Sequence, residues 1–516
     1  MIAEHAVSQR GAIQRSVRIE HFASPAAGNT IQGWRARAYC LTRQHVRVYE
    51  FCAKLFQEAG DRGLATGYVA GKADVEHGRR GKRFDRNVSE LSRSNVRLVL
   101  RSDTYLVGNP HGGRAQPYRF QQPVHDNRDT PMASILDALM AYELEMKEWF
   151  EHMHRHPELS MQERETARYI EGLVRQWGYD VETDIGRHGI VASMTVGQGT
   201  GAIGLRADFD ALPIQEQNAL DYRSEVDGVA HLCGHDGHTT MLLGAGRYLA
   251  ESRNFSGTVR LIFQPGEETM EGGPAMIRDG LFTRFPMDAV FGMHNMPGLE
   301  LGKLYFSEGE AMAAVDHWEI ELTGKGGHGA MPELAVDTVV AGSALVMALQ
   351  TIVARNVSPH NSAVVTVGAF QSGNAGNVIA QSAVLRLSIR SKTQADRDLV
   401  TSRVRHLTRT HAEAYNCSYE IREKSSGAVL VNDAEETRRA AGIARAAFGG
   451  DQVIHPGPTF LASEDFAFML EERKGTYCFI GNGDTHMVHH PQFLLDQRIL
   501  AKGAAYWAAL TESYLS

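Results

Sequence analysis

His231-Leu232-Cys233-Gly234-His235-Asp236-Gly237-His238 places three imidazoles, a thiol and a carboxylate within eight residues. That density belongs to a metal site rather than to an apolar core, because thiolate and imidazole are the ligands that borderline divalent metals prefer. Gly234 and Gly237 let the backbone turn tightly, so side chains one or two positions apart can converge on one point. The apolar run Met241-Leu242-Leu243 follows at once and reads as the start of a helix behind the site.

Four further clusters share the same setting. They are Leu205-Arg206-Ala207-Asp208-Phe209-Asp210-Ala211-Leu212-Pro213, Ile262-Phe263-Gln264-Pro265-Gly266-Glu267-Glu268, Gly292-Met293-His294-Asn295 and His486-Met487-Val488-His489-His490-Pro491. Each ends an apolar, strand-like run, and α/β proteins build their sites on such loops. A single Glu pair or lone histidine is usually solvated or structural. Five clusters in the same position point to one shared site.

Around them the chain alternates strands and helices. Helical spacing runs from Ile135 to Trp177, broken near His154–Ser160, with a second helix over about 162–177. Strands are expected at 181–183, 190–196, 202–207, 259–263 and 289–293, giving an α/β layout with a mixed sheet. From about Ala313 the order becomes strand (316–322), helix (336–354), two strands (362–370 and 383–391), helix (395–414) and strand (417–422). That β-α-β-β-α-β order is ferredoxin-like. The expected division is therefore a catalytic domain over 132–312 and 425–516, with an inserted domain over 313–424.

Residues 1–131 carry little periodicity. One helix over 44–58 and one strand over 96–107 are expected, then a Gly/Pro/Gln/Asn-rich linker, so this segment reads as a poorly ordered extension. Residues 1–130 hold 21 Lys and Arg against 12 Asp and Glu, while the remainder is acidic enough to bring the whole to −8. The basic segment lacks any zinc-finger, helix-turn-helix or aromatic-interleaved pattern, which argues against nucleic acid. At 516 residues, 43% hydrophobic and 22% charged, the composition is that of a globular protein of two or more domains. No run of 18 apolar residues predicts a membrane span. Five irregularly spaced cysteines and the lack of a secretory h-region predict a reducing, cytoplasmic setting.

The motifs Arg-Ala-Asp-x-Asp-Ala-Leu-Pro, Cys-Gly-His-Asp-Gly-His, Gln-Pro-x-Glu-Glu, Gly-Met-His-Asn, Gly-Gly-His, Gly-Asn-x-Ile, Ser-Glu-Asp-Phe and His-x-Pro occur in order. By them the chain resembles the metal-dependent aminoacylase/carboxypeptidase amidohydrolases, in the branch of hippurate hydrolase and the indole-acetyl-amino-acid hydrolases. The resemblance spans about Ser134 to Leu510. It implies a zinc-peptidase-like α/β catalytic domain with an inserted ferredoxin-like lid and dimerisation domain. It implies Cys233, His235, Glu268, His294 and His489 as ligands of two divalent metals (manganese, zinc, cobalt or nickel), with Cys233 bridging. It implies Glu267 as general base. It also implies His328, in Gly326-Gly327-His328-Gly329, as a residue that reaches a partner subunit's site and stabilises the oxyanion. Asn377 and Arg390 are implied as contacts to the substrate carboxylate.

Chemistry supports these roles. A divalent metal brings the pKa of a water to about 7, which supplies a nucleophile for amide hydrolysis at neutral pH. A carboxylate beside it takes the proton and returns it to the leaving amine. Asp208 and Asp210 are suited to holding the ligands in place. Arg390 suits bidentate carboxylate binding. The expected reaction is hydrolysis of N-acyl amino acids by a homo-oligomer, dimer or tetramer. A carboxypeptidase or dipeptidase reaction, or a silent metal- or ligand-binding homologue, remain the alternatives. Two departures from the pattern stand out. Glu333 replaces a common histidine, and His490 beside His489 leaves open which of the two is the ligand.

Overall fold

The computed structural model describes residues 98–101, 104–107, 117–118 and 131–516. The helix expected over 44–58 lies outside the described residues. The chain divides into two compact units, Met1–His125 and Asp126–Ser516. In the first, the strand expected over 96–107 is two strands, Leu98–Arg101 and Thr104–Val107, paired antiparallel with Arg101 opposite Thr104. The reversal falls between Arg101 and Thr104, at the polar Ser102-Asp103 pair of the sequence, which the expectation of one continuous strand passed over. Pro117–Tyr118 adds a third strand.

The second unit opens with helices α1 (Pro131–Ala141), α2 (Glu143–Arg155) and α3 (Arg164–Gln176). Six strands follow: β1 (Asp180–Ile185), β2 (Gly189–Val196), β3 (Ala202–Asp208), β4 (Gly257–Gln264), β5 (Ala289–Met296) and β6 (Leu304–Tyr305). Helix α4 (His235–Ser252) lies between β3 and β4. Then come β7 (Ala314–Thr323), α5 (Thr338–Arg355), β8 (Ala363–Ser372), β9 (Ser382–Ser391), α6 (Gln394–Ala414) and β10 (Ser418–Gly427). The chain closes with α7 (Ala434–Phe448), β11 (Val453–Ile454), β12 (Gly475–Gly481) and α8 (Leu500–Tyr514).

The larger sheet has eight strands in the order β11-β6-β12-β5-β3-β4-β2-β1. Its centre is parallel (β12/β5, β5/β3, β3/β4) and its β2 and β1 strands run antiparallel. Alternation along each strand feeds two cores. Val259, Leu261 and Phe263 of β4 and Phe291 and Met293 of β5 join one, with α4 and α8. Ile262 and Val290 point the other way, toward Met276, Phe282 and Phe466. Strands buried on both faces read as continuous apolar runs, which explains why they were legible in the sequence.

The smaller sheet, β8-β9-β7-β10, is fully antiparallel, with order 2-3-1-4 by sequence. Leu345, Leu349 and Ile352 of α5 and Val400 and Val404 of α6 pack on its Trp318, Ile320, Leu385 and Ile389. Its other face carries an ion ladder of Glu319, Glu321, Arg386 and Arg422. This is the ferredoxin-like arrangement with both helices on one face. By length and composition α5 is apolar enough to cross a membrane. Its buried residues serve this core.

Candidate metal centre

The helix after the Cys/His cluster begins at His235, not at Met241. Gly234 makes that possible. Its φ of +103° is left-handed, and a Cβ there would lie 2.1 Å from Asn295 Oδ1. His235 and His238 are thus three apart on a helix and face the same side. Met241, Leu242 and Leu243 bury behind them.

Donors from the loop before α4 and its first turn, the loop after β4, strand β5 and the loop after β12 meet at one end of the sheet. Cys233, His235 and His294 bring ligand atoms within 4.8 Å of one another, as do Cys233, Glu268 and His489, and His235, Glu267 and Glu268. Cys233 Sγ lies 3.4 Å from His294 Nε2. Glu268 lies 3.9 Å from His235 Nε2 and 3.3 Å from His489 Nε2.

The protons on two of these imidazoles are already committed. His235 Nδ1 faces Asp210, 3.0 Å from both Oδ1 and the backbone carbonyl. His294 Nδ1 donates to the Asn295 carbonyl. Both rings therefore turn Nε2 toward the cluster, where a bound cation would take the place of a proton. His235 Nε2 and Glu268 Oε1 are buried without a hydrogen-bond partner. Such orphaned donors are costly unless something cationic meets them. The residues present fit a divalent metal, and the donor set of thiol, imidazole and carboxylate suits it.

Electrostatics point the same way. Burial and the Glu268 charge push the Cys233 thiol well up. Burial, then the charges of Glu464, Glu268 and Asp465, push Glu267 well above the carboxylate range. For His235 burial opposes protonation, but Asp208 and its neighbours override it and raise the group. The pocket is negative and calls for a cation.

The structure separates His489 from His490. His489 adopts a left-handed backbone (φ +68°), and its amide donates to the Leu232 carbonyl at 2.7 Å. That ties its loop to the Cys233 loop. His490 instead stacks on His486, with ring centroids 4.2 Å apart, and its Nδ1 accepts the Gln492 amide.

Asp208 and Asp210 brace the imidazoles rather than merely capping turns. Asp208 accepts from His238 at 2.6 Å, and Asp210 pairs with His235. Beneath them lies a buried cation that the sequence reading missed. Arg206 donates to Asp208 (2.8 Å), Gln264 (2.9 Å), Glu464 (2.9 Å) and Asp465 (3.0 Å). Tyr477 caps the other oxygen of Glu464. Glu464 and Asp465 also lie against Glu267. The signal was present: Arg206 and Asp208 are two apart on a strand and so share a face, and Ser463-Glu464-Asp465-Phe466 was an unassigned motif.

The remaining expected residues sit on the smaller sheet's unit. His328 is exposed in a two-residue strand paired with Val378–Ile379, and its Nδ1 accepts the Ala330 amide. Asn377 is exposed beside it, its carbonyl accepting from Gly329. Arg390 is half-buried and donates to Ser463 Oγ (3.0 Å) and the Leu461 carbonyl (3.3 Å). Glu333 lies in an exposed turn over Pro332–Leu334. Among the described residues, no metal-donor cluster includes His328.

A mixed eight-stranded sheet with a buried Cys/His/Glu donor set at its strand ends, joined to a ferredoxin-like unit, defines a metal-dependent hydrolase that binds divalent metal. The chain belongs to peptidase family M20/M25/M40, whose sequence pattern matches residues 204–513. It is 41% identical to the hippurate hydrolase of Campylobacter jejuni over 70% of this chain and 94% of that protein. It is 38% identical to an N-acetyl-L-cysteine deacetylase of Bacillus subtilis over 69% of this chain and 84% of that one. A crystal structure of a dinuclear metal-binding peptidase of the M20 family from Bacillus subtilis superposes with a TM-score of 0.63. It is 31% identical and covers 73% of this chain and 99% of that one.

Proposed function

We propose that this protein hydrolyses the amide bond of N-acyl amino acids to a carboxylic acid and a free amino acid, using two divalent metals per subunit. The observation that carries this reading is the set Cys233, His235, Glu268, His294 and His489, with its orphaned buried donors, beside the buried Glu267. Relatives named for acting on hippurate and on N-acetylcysteine support it.

When bound, a divalent metal polarises the scissile carbonyl and makes a water acidic enough to attack at neutral pH. Glu267 takes a proton from the attacking water on its carboxylate and passes it to the departing amine nitrogen. The negative neighbours Glu464 and Asp465 favour that proton's stay on Glu267. Asp210 holds His235 in its Nε2-presenting orientation, and Asp208 anchors the neighbouring His238. Arg390 and Asn377 bind the substrate carboxylate, and an incoming carboxylate would replace Ser463 and Leu461 as the partners of Arg390. His328 stabilises the oxyanion from a partner subunit. Its exposure, and the exposed apolar Val339, Val340 and Met347 of α5 and Phe370 of edge strand β8, support a homo-oligomer. The free cysteines Cys233, Cys417 and Cys478 support a reducing, cytoplasmic setting.

The test is a panel of N-acetyl, N-benzoyl and dipeptide substrates, offered to metal-stripped protein and then with manganese, zinc, cobalt or nickel restored. Stripping should abolish cleavage, and restoration should recover it best on an N-acyl amino acid. Preferential dipeptide cleavage would replace this reading with the dipeptidase one.

A further inference from the structure

Glu267 is held at both of its chain neighbours by carboxylates from elsewhere in the sequence. The Gly266 amide donates to Glu163 Oε1 at 2.8 Å, and the Glu268 amide donates to Asp210 Oδ2 at 3.0 Å. Both acceptors are fastened to the short loop after α2. Glu163 Oε1 also accepts the Met161 amide at 2.8 Å, and the Ser160 hydroxyl donates to Asp210 Oδ2 at 2.7 Å.

The contact is tight. Gly266 has φ +61°, and a Cβ there would lie 2.5 Å from Met161 Sδ. Met161 is itself left-handed at φ +62°, a costly conformation for a non-glycine residue unless its surroundings hold it. Glu163 is fully buried, and its Oε2 has no hydrogen-bond partner. A carboxyl so placed is expensive to keep for stability alone.

We propose that Glu163 is a positioning residue that fixes the Glu267 carboxyl by clamping the Gly266 amide, an inference that rests on the reading of Glu267 as general base. Asp210 then pins the peptide after Glu267, the Gly272 amide on the Gly266 carbonyl (3.1 Å) holds the peptide before it, and Glu163 fixes the Pro265–Gly266 peptide from which that segment starts. Glu163 itself touches no reacting atom. Burial, then the Asp210 charge, push the Glu163 carboxyl up to about 7. Acid or anion, the carboxyl has an oxygen lone pair to offer Gly266. A neutral amide at this position should clamp almost as well.

The test compares metal-loaded Glu163→Gln, Glu163→Ala, Glu163→Asp and Glu267→Ala proteins by kcat, KM, metal content and amide hydrogen exchange over residues 260–270. In Glu163→Ala, kcat should fall by roughly 10- to 100-fold, the cost of a small misplacement at the reacting centre. KM and metal content should hold, and the Gly266 amide should exchange faster. Glu163→Asp, one methylene too short to reach, should behave likewise and carries the test if the alanine variant does not fold. Glu163→Gln should recover kcat to within a few-fold. Wild-type kcat in the alanine and aspartate variants, unchanged exchange at Gly266, or a glutamine variant as damaged as alanine would overturn the proposal. Turnover retained in Glu267→Ala would instead overturn the base reading, while exchange at Gly266 would still report the clamp.

Discussion

The buried Cys/His/Glu cluster and the exposed loop pair that carries His328 and Asn377 differ in how finished they are within one chain. Cys233, His235, Glu267 and His294 are buried, and the Nδ1 nitrogens of His235 and His294 are already engaged. His328 and Asn377 are exposed, and the contacts described above for both lie within their own loop pair. Burying charged donors is tolerable only when each is paired and fixed, so the metal half must be built in advance. If His328 and Asn377 meet the substrate as proposed, that second region has to admit a ligand, and it leaves its polar groups in water until one arrives. The first half should therefore respond to substitution through chemistry and metal. The second should respond through substrate and assembly.

The largest effect expected inside this comparison is from Glu267→Ala. Losing a positioned general base costs roughly 10²- to 10⁴-fold in rate. Metal content should stay at the wild-type value, because the five proposed ligands remain. Elemental analysis beside single-turnover rates checks this, and near-normal turnover would refute the base assignment.

Next comes His328→Ala, expected to lower kcat by roughly 10²- to 10³-fold, as loss of an oxyanion donor does. Metal content and melting temperature should not change, since the side chain is exposed. A sharper version mixes this variant with Glu267→Ala protein. If His328 serves the partner subunit, a mixed dimer assembles one complete site from two inactive chains, and activity returns. No recovery would count against a role for His328 in the partner subunit's site.

Much of this division was legible beforehand. The strand-end clusters stood out because doubly buried strands are apolar without interruption, so a polar residue ending one is conspicuous. The smaller sheet followed from its element order, and its strands and helices end within a few residues of expectation. Arg206 was only half legible: its spacing from Asp208 puts the two on one face of a strand, but a buried arginine and a solvated one look alike until Glu464 and Asp465 are brought around it, Asp465 from 259 positions away. Nor could the sequence choose between His489 and His490. A left-handed backbone and one amide bond to Leu232 bring His489 beside Cys233 and Glu268, and His490 stacks on His486 instead. The start of α4 at His235 depended on Gly234 meeting Asn295, a contact between distant segments.

The smallest effect falls on stability and tests whether the metal half is held by charge as well as by packing. His154 on α2 is buried between Asp236, at 2.7 Å, and Glu216, at 3.3 Å. Asp236 follows the proposed ligand His235. Glu216 belongs to a loop whose Gln217 amide donates to the Pro491 carbonyl, next to the His489 loop. Burial alone would lower the pKa of His154, but the hydrogen bonds to Asp236 and Glu216 override it and raise it to about 9. A histidine raised in the folded state stabilises fully below its unfolded pKa of about 6.5, and that contribution is lost as pH climbs through about 9. Its pH-dependent part is on the order of 3 kcal/mol. In His154→Gln, the stability deficit measured by urea unfolding should therefore be largest near pH 6 and shrink toward pH 10. The partners Asp236 and Glu216, both lowered, titrate in the acid range and leave this window untouched. A deficit that stays constant from pH 6 to pH 10 would mean that His154 is held neutral, and that the metal loop is fixed by packing alone.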